Sequence, residues 1–89
     1  MSPCFTPLAW EEYLYWQAND RQILKRINLL IKDIQRNPED KEGLGKPELL
    51  KGEFSGFASR RITDEHRLVY KIKDGKILIV QCRFHQFCN

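Results

Sequence analysis

The apolar positions of this 89-residue chain change their period once. From Trp10 to Ile34 they recur at helical spacing, and from Phe54 onward they fall in short runs rich in β-branched and aromatic residues. Thr6-Pro7 ahead of Trp10-Glu11-Glu12-Tyr13-Leu14 predicts a helix near residues 7–18, because a Thr hydroxyl can cap free amides and Pro suits the first helical position. Asn19-Asp20 supplies a second cap. Ile23, Ile27, Leu30, Ile31 and Ile34 then form one apolar stripe opposite Lys25, Arg26, Lys32 and Arg36, and Asn37-Pro38 stops the helix. In so small a domain the stripe reads as core rather than as a partner-binding face.

Residues 38–46 are a polar loop, and Pro47 to Lys51 is compatible with one short helical turn that Gly52 ends. Strand-like runs follow at Phe54 to Ile62, His66 to Lys73 and Lys76 to Phe84, and residues 4–7 can open the chain as a further strand. The expected fold is α+β: a single domain over residues 1–89, two N-terminal helices packed on one antiparallel β-sheet.

Loop length decides which side chains share a sheet face. A two-residue turn at Asp74-Gly75 would pair Arg67 with Cys82. A three-residue loop, Lys73-Asp74-Gly75, would pair Ile72 with Lys76 and Arg67 with Gln81, turning Leu68, Tyr70, Leu78, Val80 and Cys82 toward the helices. Arg67, Gln81, Arg83 and His85 then gather on the other face. The second register is preferred because it buries no Gln among apolar neighbours. At Thr63-Asp64-Glu65 a three-residue loop sets Arg61 across from Arg67, an unfavourable pair that also makes a ready phosphate site. His66 falls on the core side.

Composition narrows the possibilities further. With 42% hydrophobic and 30% charged residues the chain is neither a disordered tail nor, lacking a run of roughly 20 apolar residues, a membrane span. No signal peptide is evident, and three cysteines, an odd number, argue for reduced thiols and a cytoplasmic protein. Charge is uneven: before Gly43 the net charge is −1, and from Gly43 onward it is +4. A basic half suits phosphates or an acidic partner.

Cys82, His85 and Cys88 form a Cys-x2-His-x2-Cys string, but strand alternation sends residues three apart to opposite faces, so neither zinc ligation nor a Cys-His nucleophile fits. Glu48, His85 and the cations Lys51, Arg61, Arg67 and Arg83 remain. Such a set can cleave RNA without metal or other cofactor: a base takes the ribose 2′-hydroxyl proton, cations stabilise the charge added at phosphorus, and an acid protonates the leaving 5′-oxygen. Glu48 can equally be a helix-start carboxylate, and Glu65 a turn residue.

Gly45-Lys46-Pro47-Glu48, Leu50-Lys51-Gly52, Phe54-Ser55-Gly56-Phe57, the run Ser59-Arg60-Arg61-Ile62-Thr63-Asp64-Glu65-His66-Arg67-Leu68-Val69-Tyr70, and Cys82-Arg83-Phe84-His85 resemble the YoeB/Txe family of toxin endoribonucleases. Tyr13-Leu14-Tyr15-Trp16 extends the resemblance over most of the chain. It implies a RelE-like fold, action on mRNA in the ribosomal A site without metal, and a cognate antitoxin with an acidic C-terminal tail. By position it makes Glu48 the general base, His85 the general acid and Arg67 the main transition-state cation, with Lys51, Arg61 and Glu65 supporting. The family usually carries Tyr after the terminal His; here Gln86 and Phe87 stand, so Phe84 or Phe87 would stack a base. Trp10, Tyr13 and Trp16 would pack beneath the sheet or at the contact of a homodimer. The competing expectation is a ParE-like module on the same fold that inhibits an enzyme such as a topoisomerase without cutting RNA.

Overall fold

The computed structural model describes residues 1–39 and 41–84. In chain order it contains β1 (Ser2–Phe5), α1 (Pro7–Asn19), α2 (Arg21–Arg36), β2 (Glu48–Leu49), β3 (Ala58–Arg61), β4 (Arg67–Lys73) and β5 (Lys76–Gln81), with a 3-10 turn at Gly52–Phe54. The strands form one sheet in the order β1-β5-β4-β3-β2. Two helices on one sheet is the expected architecture, but the sheet is mixed: β1 runs parallel to β5, and the other neighbours are antiparallel.

Both helix starts follow the sequence signals. Thr6 Oγ1 accepts the Ala9 N–H at 3.2 Å, with Pro7 in the first turn. Asp20 serves both helices: its N–H donates to Trp16 C=O at 2.8 Å, while its carboxylate accepts the N–H groups of Gln22 and Ile23. One residue thus closes α1 and opens α2. On α2 the buried set is Leu24, Ile27, Leu30, Ile31 and Ile34, with Ile23 partly buried. Each such side chain contributes about 1.5–3 kcal/mol against exposure. α1 differs, having apolar residues all round: Ala9 and Trp16 are buried, while Leu8, Trp10, Leu14 and Tyr15 are exposed.

The β4–β5 hairpin corrects the preferred register. Asp74 and Gly75 have φ of 53° and 73°, the two left-handed residues of a two-residue turn, and Lys73 pairs with Lys76. Ile72 therefore faces Ile77, not Lys76, and Ile77 and Ile79, rather than Leu78 and Val80, pack beneath the helices. The extra residue appears farther along. Tyr70 pairs with Ile79 but Val69 with Gln81, so Val80 is bulged out. This restores the expected parity beyond it, and Cys82 returns to the helix side. Gln81 pairs with Val69 instead of Arg67.

Pro47 to Lys51 is not a helical turn. Glu48 and Leu49 pair with Ser59 and Ala58 as a two-residue edge strand, because β3 offers free amides and carbonyls on that side. The ladder continues irregularly where Arg61 N–H donates to Gly45 C=O at 2.7 Å. Gly45, at φ 81°, lies so close to β3 that a Cβ there would sit 3.0 Å from the Arg61 carbonyl oxygen.

Arg60 is fully buried on the helix side. Its Nη1 lies 2.5 Å from Asp33 Oδ2 and 3.2 Å from Leu44 C=O, and its Nε donates to Tyr70 Oη at 3.1 Å. Arg60 Nη2 is buried without a partner among the described residues. The Arg60 hydrogen bond, with that from the Leu44 N–H, holds the Asp33 carboxyl below its ordinary value. Gly43 leaves room for this pair, since a Cβ there would fall 2.6 Å from Asp33 Oδ2. Arg60 therefore belongs to the core and not to the phosphate-facing cations.

Candidate active site

The sheet face away from the helices carries one row across four strands: Glu48 pairs with Ser59, Ser59 with Val69, and Val69 with Gln81. Alternation adds Arg61 and Arg67 to this face, and those two are paired directly, as the three-residue loop requires. Like charges cannot relax onto each other. The Arg67 guanidinium turns along the row instead: Nη1 lies 3.3 Å from Ser59 Oγ and 3.6 Å from Glu48 Oε1. The Arg67 side chain is 19% exposed and Glu48 58%, so the cation is sheltered and the carboxylate reachable. Arg61 is exposed and pairs loosely with Asp64 at 3.9 Å.

Beyond β5 the chain is held by side chains rather than by a ladder. Cys82 N–H donates to Glu12 Oε1 at 2.9 Å, and Trp16 Nε1 donates to Cys82 C=O at 2.8 Å. Gln81 Nε2 donates to the carbonyls of Arg83 and Phe84 at 2.8 and 3.2 Å. Phe84, at φ 68°, donates its N–H to His66 Nδ1 at 2.7 Å and accepts from the Arg67 N–H at 2.8 Å. His66 must therefore leave Nδ1 unprotonated, and its ring meets Trp16 edge-on at 4.8 Å. It is a packing residue on the helix side, as expected.

Burial raises the Glu12 carboxyl, against the lowering by the Cys82 N–H and Arg83. Burial, with the nearby Glu12 charge second, pushes the Cys82 thiol up to about 12. A thiol so placed, its Sγ 3.6 Å from Ala9 C=O, is inert as a nucleophile.

The structure brings Glu48 and Arg67 together and sets Arg61 beside Arg67. Lys51 is exposed at the start of the 3-10 turn, and Glu65 is exposed in the β3–β4 turn, its N–H bonded to Thr63 Oγ1. Arg83 does not share the face of Arg67. Its guanidinium lies 3.6 Å from the Tyr15 ring centroid and 4.6 Å from that of Phe84, because strand alternation ends at Gln81. Phe84 is about half exposed, its ring already met by the Arg83 guanidinium and by the His66 ring at 5.9 Å. His85, with Gln86, Phe87 and Cys88, lies outside the described residues. Sequence reasoning overlooked Ser59, although alternation from Arg61 puts it on this face, and Glu12, which gave no signal.

The sequence family described as "YoeB-like toxin of bacterial type II toxin-antitoxin system" matches residues 5–86. A Toxin YoeB from Synechocystis is 59% identical over 85 residues, 96% of each chain. That of Escherichia coli K12 is 58% identical over 77 residues, 86% of this chain and 89% of the relative. Among solved structures, a YoeB/ParE toxin from Agrobacterium tumefaciens superposes with a TM-score of 0.91 at 43% identity, covering 97% of this chain and 100% of that one. A Staphylococcus aureus YoeB-YefM complex gives 0.88 at 46%, covering 97% and 98%. The arrangement of helices and sheet is thus shared with these bacterial toxins, and the chain belongs to the YoeB-like toxin family of type II toxin-antitoxin systems.

Proposed function

We propose that this toxin is a ribosome-dependent mRNA endoribonuclease that cuts without metal, with Glu48 as general base, Arg67 as transition-state cation and His85 as general acid. Glu48 takes the proton of a ribose 2′-hydroxyl, and that oxygen attacks the adjacent phosphorus. The bond to the 5′-oxygen breaks, His85 gives that oxygen its proton, and the products end in a 2′,3′-cyclic phosphate and a 5′-hydroxyl. Charge added at the phosphoryl oxygens needs a fixed donor, and a sheltered guanidinium is worth most there. The observation that carries this reading is the Arg67 guanidinium held 3.6 Å from Glu48, too long for a tight ion pair, on the open sheet face. Lys51 and Arg61 would take flanking phosphates, and Phe84 would stack a base.

The partners follow from the same chemistry. An acidic antitoxin tail would neutralise the basic half of the chain, as a YefM accompanies the S. aureus relative, and the exposed aromatic side of α1 would serve a homodimer like the one that relative forms. The cell compartment would be the cytoplasm, where mRNA is translated.

Primer extension on mRNA in a translation reaction tests the activity. The purified toxin should give discrete cuts, R67A should lose about 10²–10³ in rate with its melting point nearly unchanged, and H85Q should lose most cleavage. Full cleavage by R67A would remove the cation from the mechanism. Absence of cuts with wild-type protein, alongside inhibition of a topoisomerase, would replace the nuclease by an enzyme inhibitor.

A further inference from the structure

Ser59 is a fully buried hydroxyl in the middle of a sheet face, where an apolar side chain would pack without a polar cost. It lies in β3 between Glu48 on one neighbouring strand and Val69 on the other. Its Oγ accepts from Arg67 Nη1, the same nitrogen that lies nearest Glu48. The two acceptors share one nitrogen, whose two N–H groups are fixed in the guanidinium plane, so the orientation that serves the hydroxyl limits the approach to the carboxylate. With a neutral hydroxyl at 3.3 Å, the guanidinium stops at 3.6 Å from the carboxylate, short of the 2.7–2.9 Å contact that a free Arg–Glu pair adopts.

We propose that Ser59 is a positioning residue that keeps Arg67 from collapsing onto Glu48. This rests on the reading of Glu48 and Arg67 as base and cation. If the two closed into a tight pair, the guanidinium would be turned toward Glu48 instead of toward phosphate, and the carboxylate would be occupied when the 2′-hydroxyl arrives. Ser59 touches neither substrate nor reacting atom. It acts through Arg67, and its effect should appear in kcat and not in KM, because flanking phosphates bind elsewhere.

The test is a double-mutant cycle with S59A and R67A, read as single-turnover mRNA cleavage on translating ribosomes. S59A should lower kcat roughly tenfold with KM unchanged, and adding S59A to R67A should change nothing further. S59T, which keeps the hydroxyl, should restore most of the rate; if it melts early, the cycle alone decides. Wild-type kcat in S59A, or the same loss in the R67A background as in the wild type, overturns the positioning role while leaving the nuclease in place. Undiminished cleavage by R67A overturns the reading of Arg67 and the role of Ser59 with it.

Discussion

Replacing Asp33 by Ala should cost about 3 kcal/mol, a large part of what holds a chain of this size together. Among the described residues Arg60 would then keep only the Leu44 carbonyl and the Tyr70 hydroxyl, with a second terminal nitrogen already unpartnered there, inside a core that shows no Arg60 surface to water. Removing one partner of a buried pair costs about 3–5 kcal/mol because the other charge stays behind. The low end applies here, since the Asp33 side chain is 27% exposed and water can reach part of its place. For a domain of this length about 3 kcal/mol corresponds to a fall in Tm of roughly 12–24 °C, read by calorimetry or circular dichroism at pH 7. The sign of the pH dependence is fixed by the lowered Asp33 value. Its contribution is present above the ordinary 3.8 and is lost as pH falls through the folded value, so the gap between wild type and D33A should narrow below pH 3.8. Removing both charges, as D33L/R60M, should cost less than D33A alone. A D33A protein melting within 3 or so degrees of wild type, about half a kcal/mol, would refute the view of this pair as a structural post.

Three further outcomes follow from the ties around Cys82. E12Q keeps an acceptor for the Cys82 N–H and removes a carboxylate whose value burial has raised; since that penalty is present above the folded value and absent below 4.5, E12Q should melt higher than wild type at pH 7 and no higher at pH 4. W16F leaves the buried Cys82 carbonyl without its donor and should lose about 1–3 kcal/mol in urea denaturation. Iodoacetamide at pH 8 should modify Cys4, which is partly exposed, and spare Cys82 until urea unfolds the chain, as peptide mass mapping would show.

Elements that announce themselves by local chemistry were legible in the sequence. Thr6-Pro7, Asp20 and the Ile/Leu stripe of α2 set both helices, since capping and amphipathic period act over a few residues. The Arg61–Arg67 opposition followed from loop length alone. The hairpin register did not, because a bulge at Val80 has no sequence mark here and cancels the effect of the shorter turn. β2 was hidden for another reason: two residues pair only because β3 is already there. Arg60 lies in the core because strand alternation puts it on the face opposite Arg61. Arg83 went astray because alternation was extended past the end of β5. In the candidate site, Glu48 and Arg67 stood out by residue type, their roles came from resemblance, and the structure sets the two side by side. Ser59 and Glu12 needed coordinates, since nothing in a sequence says which hydroxyl or carboxylate finds a partner 8 or 70 positions away.

The parallel pairing of β1 with β5 joins Ser2 to Lys76 and Phe5 to Ile79, the first described strand to the last. The first strand to leave a ribosome thus has no partner until the final one follows, and the row from Glu48 to Gln81 lacks its last member for the same interval. Closing the β1–β5 pairing therefore waits for the longest sequence separation in the described sheet, the contact whose loop entropy costs most.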